Sequence, residues 1–329
     1  MLPVSIVTGF LGSGKTTLIA RVLRDPTFAR TAVIVNEFGE IGLDHELVTA
    51  SDESLLTLST GCLCCAVRAD LLATLLELRA RRAAGEIAYD RVLIETSGLA
   101  DPAPILQALI NDRDVAQDHA IDTLITLVDA QHGETSLDHH PEARRQAALA
   151  DRLLLTKTDV AGAVDALRAR LAALNPGAPL LTSVAGDIAP SVLFSTSDAS
   201  GREARLATLL DASVAAHSDG IETFSLTRET PLPALALTLW LEALVEHAGD
   251  RLLRVKGLVD VAELPGRPAL IQGVRHLFSA PAWLDRWPSG DQRTRIVFIA
   301  EAMPRHFPSR LLDAIVSEVM DETRSQAWN

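Results

Sequence analysis

The chain has 329 residues, 48% of them hydrophobic and 22% charged, and that length exceeds the roughly 250–300 residues a single hydrophobic core sustains, so two domains are expected. Its 30 Lys and Arg against 43 Asp and Glu give a formal net charge of −13. That balance excludes wrapping of nucleic acid or adhesion to an anionic membrane through general electrostatics, and any bound anion must be held by a local device.

The opening stretch MLPVSIVTGFLGSGK lacks the basic start and small-residue cleavage site of a secretory signal. No uninterrupted apolar run approaches the ~20 residues needed to cross a bilayer, and a cytoplasmic location is expected. The strand PVSIVT leads into GFLGSGKT, Gly9 to Thr16, followed by the helical TTLIARVL. This satisfies G-x-x-x-x-G-K-[ST] in its strand–loop–helix context, and it supplies the local anion device. Gly9, Gly12 and Gly14 let the backbone curl so that the N–H groups of this loop, including those at Ser13 and Thr17, converge on phosphate oxygens at a helix N-terminus. Lys15 reaches the β and γ phosphates and Thr16 is a ligand for Mg²⁺.

Further β-branched runs follow: TAVIVNE, SLLTLST, RVLIETS, DTLITLVDA, RLLLTKT and PLLTSV, separated by segments of helical character. Strands alternating with helices indicate a doubly wound, mostly parallel sheet of the P-loop NTPase type, with ligands bound at the carboxyl ends of its strands. After the third run, STGCLCCAVR holds all three cysteines of the chain, Cys62, Cys64 and Cys65. In a reducing compartment such a cluster points to metal binding or redox chemistry rather than to structural disulfides. Three thiolates suit Zn²⁺, Cu(I) or Co²⁺, and the C-x-C-C spacing is too tight for a closed four-cysteine knuckle. A fourth position then falls to another residue, to water or to a partner's ligand. Glu37 and Glu40 in VNEFGE are candidates, or members of a nucleotide-sensing loop; the alternative for the cysteines is burial as small hydrophobes.

LIETSGLADP ends a strand at Glu95, where P-loop proteins need an acidic group to order Mg²⁺ or its waters, with Gly98 placed to contact the γ-phosphate. The plain alternative for Glu95 is a strand-end cap. His132, His139 and His140 fall in DAQHGETSLDHHPEARR, expected as a solvated loop before a helix near Pro141, with a metal role for the adjacent pair as the lesser reading. Thr156-Lys157-Thr158-Asp159 closes RLLLTKTD. The Asp159 carboxylate is suited to accept from two donors on guanine, and the Lys157 stem to pack along the purine, which favours GTP over ATP. The alternative is a solvated turn. Thr in place of Asn at position 156 is expected to weaken the tie to the phosphate loop and the base.

Residues 1–190 therefore form the expected nucleotide domain. Residues 191–219, rich in Ser, Ala, Asp and Gly, form a connector. Residues 220–329 follow as a smaller α+β domain with an antiparallel sheet covered on one face. In this last part Trp283 and Trp287 are either plugs for the sheet or anchors for a partner.

Taken in order, GFLGSGKTT, VNEFGE, GCLCC, ETSGLADP and LTKTD resemble the CobW-like GTPases, the P-loop family that includes the zinc-regulated GTPase metalloprotein activators. RVKGLVDVAELPGRPALIQGVRHLF looks like that family's C-terminal domain. The resemblance implies a GTPase with Gly12, Gly14, Lys15 and Thr16 at the phosphates and Mg²⁺, Glu95 near the hydrolytic centre, Lys157 and Asp159 at the base, and Cys62, Cys64 and Cys65 as metal ligands. It implies GTP and GDP as nucleotides, zinc or cobalt as cargo, and a client metalloprotein as partner. Many members carry a histidine-rich stretch near the domain junction, where this chain has only His217. A non-catalytic carrier, a cobalt-handling protein of cobalamin synthesis and an ATP-dependent kinase or ligase remain alternatives. The client, the fourth metal ligand and the oligomeric state are not written in the sequence.

Overall fold

The computed structural model describes residues 1–36, 55–58, 64–194, 216–218 and 220–326. The chain divides into two compact units, Met1–Ala172 with Ala178–Gly201, and Ala173–Gly177 with Arg202–Asn329.

Seven strands build the first unit: β1 (Leu2–Gly9), β2 (Thr31–Asn36), β3 (Leu55–Leu58), β4 (Arg91–Glu95), β5 (His119–Asp129), β6 (Arg152–Thr156) and β7 (Leu180–Ser183). They lie in the order β3-β2-β4-β1-β5-β6-β7, and every pairing is parallel. Successive residues Val4, Ile6 and Val7 of β1, and Leu153, Leu154 and Leu155 of β6, are almost fully buried. Such runs lack polar alternation because helices cover both faces of a parallel sheet. Those helices are α1 (Lys15–Val22), α2 (Cys64–Ala83), α3 (Ala103–Asn111), α4 (Arg113–Ala116), α5 (Gly133–His139), α6 (Pro141–Leu149), α7 (Asp165–Leu174) and α8 (Pro190–Leu193). Leu18, Ile19 and Val22 of α1 pack with Val7, Val33, Leu93 and Leu127, which seats the helix that follows the phosphate loop on the sheet.

The segment around His132 to His140 departs from the expected loop, because residues 133–139 form α5. A Cβ on Gly133 would come within 2.9 Å of both Leu167 Cδ2 and Val128 Cγ1. The glycine is there for close packing of the helix start, not to break the chain.

The second unit comprises β8 (Ala216–Ser218), β9 (Ile221–Arg228), α9 (Ala234–Ala248), β10 (Leu252–Val259), β11 (Ala269–Val274), β12 (Leu277–Phe278), β13 (Ala282–Trp283), β14 (Thr294–Glu301) and α10 (Phe307–Gln326). Its sheet runs β12-β11-β10-β14-β9-β8, with β13 added on β11, and all pairings are antiparallel. Leu237, Trp240 and Leu244 of α9 and Leu312, Val316 and Val319 of α10 bury one face against Val255, Ile296 and Phe298. The opposite face carries a smaller cluster of Leu258 and Trp287 with Leu270 and Leu284. The two tryptophans therefore differ: Trp287 is a plug, whereas Trp283 is exposed. Among the described residues, no helix is long and apolar enough to cross a membrane.

Trp240 is fully buried, donates Nε1–H to the Pro308 carbonyl at 3.0 Å and meets the Phe298 ring edge-on at 6.2 Å. Trp240→Ala should destabilise this unit by about 3–5 kcal/mol through cavity formation, with the loss of the bond to Pro308 added to it. Urea unfolding followed by circular dichroism would show the unit's transition at lower denaturant.

Candidate nucleotide site

At the end of β1 the chain passes under its neighbour β5 and then rises into a curled loop. A Cβ on Gly9 would strike the Leu127 carbonyl and approach Ser13 Oγ to 2.7 Å, so the passage admits only glycine. Gly14 then holds a left-handed backbone, φ 95°, as the N-cap of α1. No side chain caps that helix and its first turn contains no acidic residue. The loop thus directs backbone N–H groups and the positive end of α1 outward, a donor set that fits phosphate. Lys15 is buried, and its Nζ donates to the carbonyls of Gly9 at 2.9 Å and Phe10 at 3.4 Å. Thr16 Oγ1 donates to Glu95 Oε1 at 2.8 Å. A hydroxyl and a carboxylate in contact beside a phosphate cradle form an all-oxygen set that fits Mg²⁺.

Glu95 ends β4, the strand on the other side of β1. The turn after it is tied to the loop's base: Thr96 N–H donates to the Val7 carbonyl at 3.0 Å and Thr96 Oγ1 to Thr8 Oγ1 at 2.7 Å. A Cβ on Gly98 would lie 2.8 Å from Leu11 N and 2.9 Å from Leu11 Cα, so this turn rests directly on the phosphate loop. From the far side, Gln146 of α6 is fully buried and donates Nε2–H to the carbonyls of Gly98 at 3.1 Å and Ala100 at 2.9 Å. Its own carbonyl accepts from Thr126 Oγ1 at 2.7 Å. Nothing in QAAL marks this glutamine in the sequence, since its partners are 46 and 48 residues away.

On the base side, Thr156 Oγ1 donates to the Ser13 carbonyl at 2.8 Å. With Thr rather than Asn at this position, a tie to the phosphate loop is still present. The hydroxyl is short, but β6 ends close enough for it to reach. Lys157 follows in a left-handed backbone, φ 57°, and donates Nζ–H to Asp129 Oδ2 at 2.8 Å. Asp129 also accepts from Gln131 N–H at 2.8 Å and lies 3.2 Å from His132 Nδ1. Burial pushes the Asp129 carboxyl up, but the bonds from Lys157, Gln131 and His132 outweigh it and hold the pKa below the usual carboxylate range. Asp159 is exposed. A cleft of about 310 Å³ runs beside the loop, lined by Gly12, Ser13, Asp129, Leu137, Gln146 and Lys157 among others.

The adjacent histidines diverge: His139 Nδ1 lies 2.9 Å from the Thr135 carbonyl, whereas His140 stacks on Phe10 with ring centroids 4.4 Å apart. The pair does not chelate. Cys62, Glu37 and Glu40 lie outside the described residues, while Cys64 and Cys65 are the first two residues of α2, with only their backbone described. Among the described residues there is no group of three or more His, Cys, Asp or Glu arranged to hold a metal. Because the sheet is parallel, the ends of β1, β4, β2 and β3 share one rim, with β3 three strands from β1. At ~4.8 Å per strand that is roughly 14 Å.

A glycine-curled loop before α1, a carboxylate on its threonine and a TKTD element bonded back to it define a P-loop GTPase. Residues 3–182 match the family described as CobW/HypB/UreG, nucleotide-binding domain, and residues 221–316 match the cobalamin synthesis protein cobW C-terminal domain. The chain belongs to this family. It is 36% identical over 304 residues to the zinc chaperone YjiA of Escherichia coli, covering 92% of this chain and 95% of that protein. It is 34% identical to the zinc chaperone CobW of Pseudomonas aeruginosa, covering 92% and 88%. The crystal structure of Zn(II)-bound YjiA GTPase from E. coli superposes with a TM-score of 0.71 at 28% identity, covering 95% of this chain and 98% of that one.

Gly98→Ala tests the contact between the turn and the loop. The added methyl group displaces the turn from Leu11, and GTP turnover should fall between about ten- and hundredfold. GDP affinity, which does not involve the γ-phosphate side, should stay within about twofold; phosphate release and GDP titration measure the two.

Proposed function

We propose that this chain is a GTP-hydrolysing metallochaperone that holds zinc at Cys62, Cys64 and Cys65 and passes it to a client metalloprotein under control of the nucleotide. What supports this reading is the shared rim: β3 ends at Leu58 on the edge of the sheet that also carries the phosphate loop, and α2 begins soon after in sequence with Cys64 and Cys65. Relatives covering nearly the whole chain are named zinc chaperones, and three clustered thiolates form a soft donor set that zinc prefers and cobalt accepts. An incomplete set of protein ligands, with Glu37, Glu40 or a group of the client filling the last position, suits a donor. A closed structural site would release its metal slowly.

In the hydrolytic half, backbone N–H groups from Gly12 to Thr17 bind the phosphates, and Lys15 swings from the Gly9 carbonyl to the β and γ oxygens. Thr16 and Glu95 together hold the Mg²⁺ position. Bound Mg²⁺ supplies neutralisation of charge on the β and γ phosphates. Glu95 orients water through its carboxylate and Gly98 N–H faces the γ-phosphate, so presence or loss of that group moves the turn. Asp159 selects guanine by accepting from its two donors, and Lys157 lies along the ring.

Zinc and cobalt titrations against a competing chelator, in GTP-analogue and GDP states, test the coupling. An affinity or transfer-rate difference of at least about tenfold is expected between the two states, a coupling of ordinary size. Equal values would reduce the nucleotide to a structural ligand. Multiple-turnover phosphate release should be abolished by Lys15→Ala, and Cys64→Ser with Cys65→Ser should remove metal binding while leaving GDP affinity intact.

A further inference from the structure

We propose that Asp129, at the carboxyl end of β5, is a positioning residue for guanine recognition: it anchors the ammonium of Lys157 so that the lysine stem is already laid out where the base stacks. This deepens the reading of the site as a guanine-nucleotide pocket and rests on it.

The register of the sheet sets Asp129 directly beside Thr156, and Ala130 N–H extends the ladder to the Thr156 carbonyl at 2.9 Å. Lys157 then takes its left-handed turn and sends its side chain back toward β5, where Nζ reaches Asp129 Oδ2 at 2.8 Å. The two ends of this pair differ in environment. The Asp129 side chain is 10% exposed and that of Lys157 41%. Asp129 is immobilised by Gln131 N–H on Oδ1 and by His132 Nδ1 beside Oδ2. The buried carboxylate is thus a fixed post and the lysine a strut whose tip is tied and whose stem stays accessible, in the cleft that Gly12 and Ser13 also line.

A lysine loses many rotamers when it packs against a flat ring. Anchoring the tip beforehand removes most of that loss from the binding step, which is how preorganisation raises affinity. The stem's contact with a purine does not depend on the 2-amino group, whereas the Asp159 contact does. Asp129 should therefore act on affinity without acting on the choice between guanine and hypoxanthine.

Electrostatics predicts the opposite sign. Removing the Asp129 charge leaves Lys157 and His132 without their acidic neighbour, and the added positive potential would tighten binding of a diphosphate. A loss of affinity therefore reports positioning.

The test compares GDP and IDP affinities of the full chain and its Asp129→Ala, Asp129→Glu, Lys157→Ala and Asp129→Ala/Lys157→Ala variants by titration calorimetry. Asp129→Ala should weaken both nucleotides by about tenfold, the cost of one newly immobilised long side chain, with the GDP-to-IDP ratio unchanged. Asp129→Glu, which keeps the anchor, should recover part of the loss. In the Lys157→Ala background, Asp129→Ala should add less than about twofold. Wild-type affinity in Asp129→Ala, or an equal loss with and without Lys157, would overturn the proposal while leaving the guanine reading intact. A wild-type chain that binds neither nucleotide would overturn both.

Discussion

The loop from Gly9 to Thr16 keeps its curl because its neighbours grip it from both sides. Beneath it, Gly9 passes so close to Leu127 of β5 that no side chain fits. To one side, the turn after Glu95 leans on Leu11 and is braced from behind by Gln146. To the other, Thr156 at the end of β6 bonds the Ser13 carbonyl. Isolated N–H groups aimed at one point are costly to hold, since each would sooner bond to water or to the loop itself. Ser13 N–H does so, on the Phe10 carbonyl at 3.1 Å, while the surrounding strands and turns hold the curl of the loop as a whole.

This grip also explains how a chain of net charge −13 holds a polyanion. The attraction is local: helix dipole, N–H groups and Lys15 beside the loop, on a rim where strand ends leave room between covering helices. The two lysines divide the work by where their tips rest. Lys15 docks on carbonyls of the loop that it must leave in order to reach phosphate. Lys157 docks on a buried carboxylate that it has no reason to leave.

Features that are local in sequence were legible in it. The phosphate loop, Glu95 at its strand end and the TKTD element each announce themselves within a few residues, and the apolar runs announced all seven strands of the parallel sheet. Residues whose meaning comes from partners far along the chain were not legible. Gln146 sits among alanines in a helix and Asp129 ends a strand like many other aspartates; only the fold reveals the turn that one braces and the lysine that the other holds. Thr156 bonds the loop because β6 ends close to it, which side-chain length alone does not show. The stretch from His132 to His140 was expected as a loop, whereas residues 133–139 are helical, and the packing of Gly133 against Leu167 and Val128 that seats the helix start is invisible in sequence. The cysteine cluster shows the converse: residue type alone raises it as a candidate metal site, whereas its distance from the phosphates depends on strand order.

That order bears on how the proposed metal and nucleotide pockets would communicate. β2 pairs with β4 so that Val35 lies opposite Glu95, and with β3 so that Asn36 lies opposite Leu58. Glu95, the end of β2 and the end of β3 thus form a row across the sheet, each one strand from the next. Glu37, the next residue in sequence after β2, lies outside the described residues. In the proposed mechanism the glutamates of VNEFGE, which follow β2 in sequence, answer one or both occupants, as ligands to the metal or as part of the loop that senses the nucleotide. Parallel pairing matters for this, because an antiparallel β2 would end on the opposite edge of the sheet.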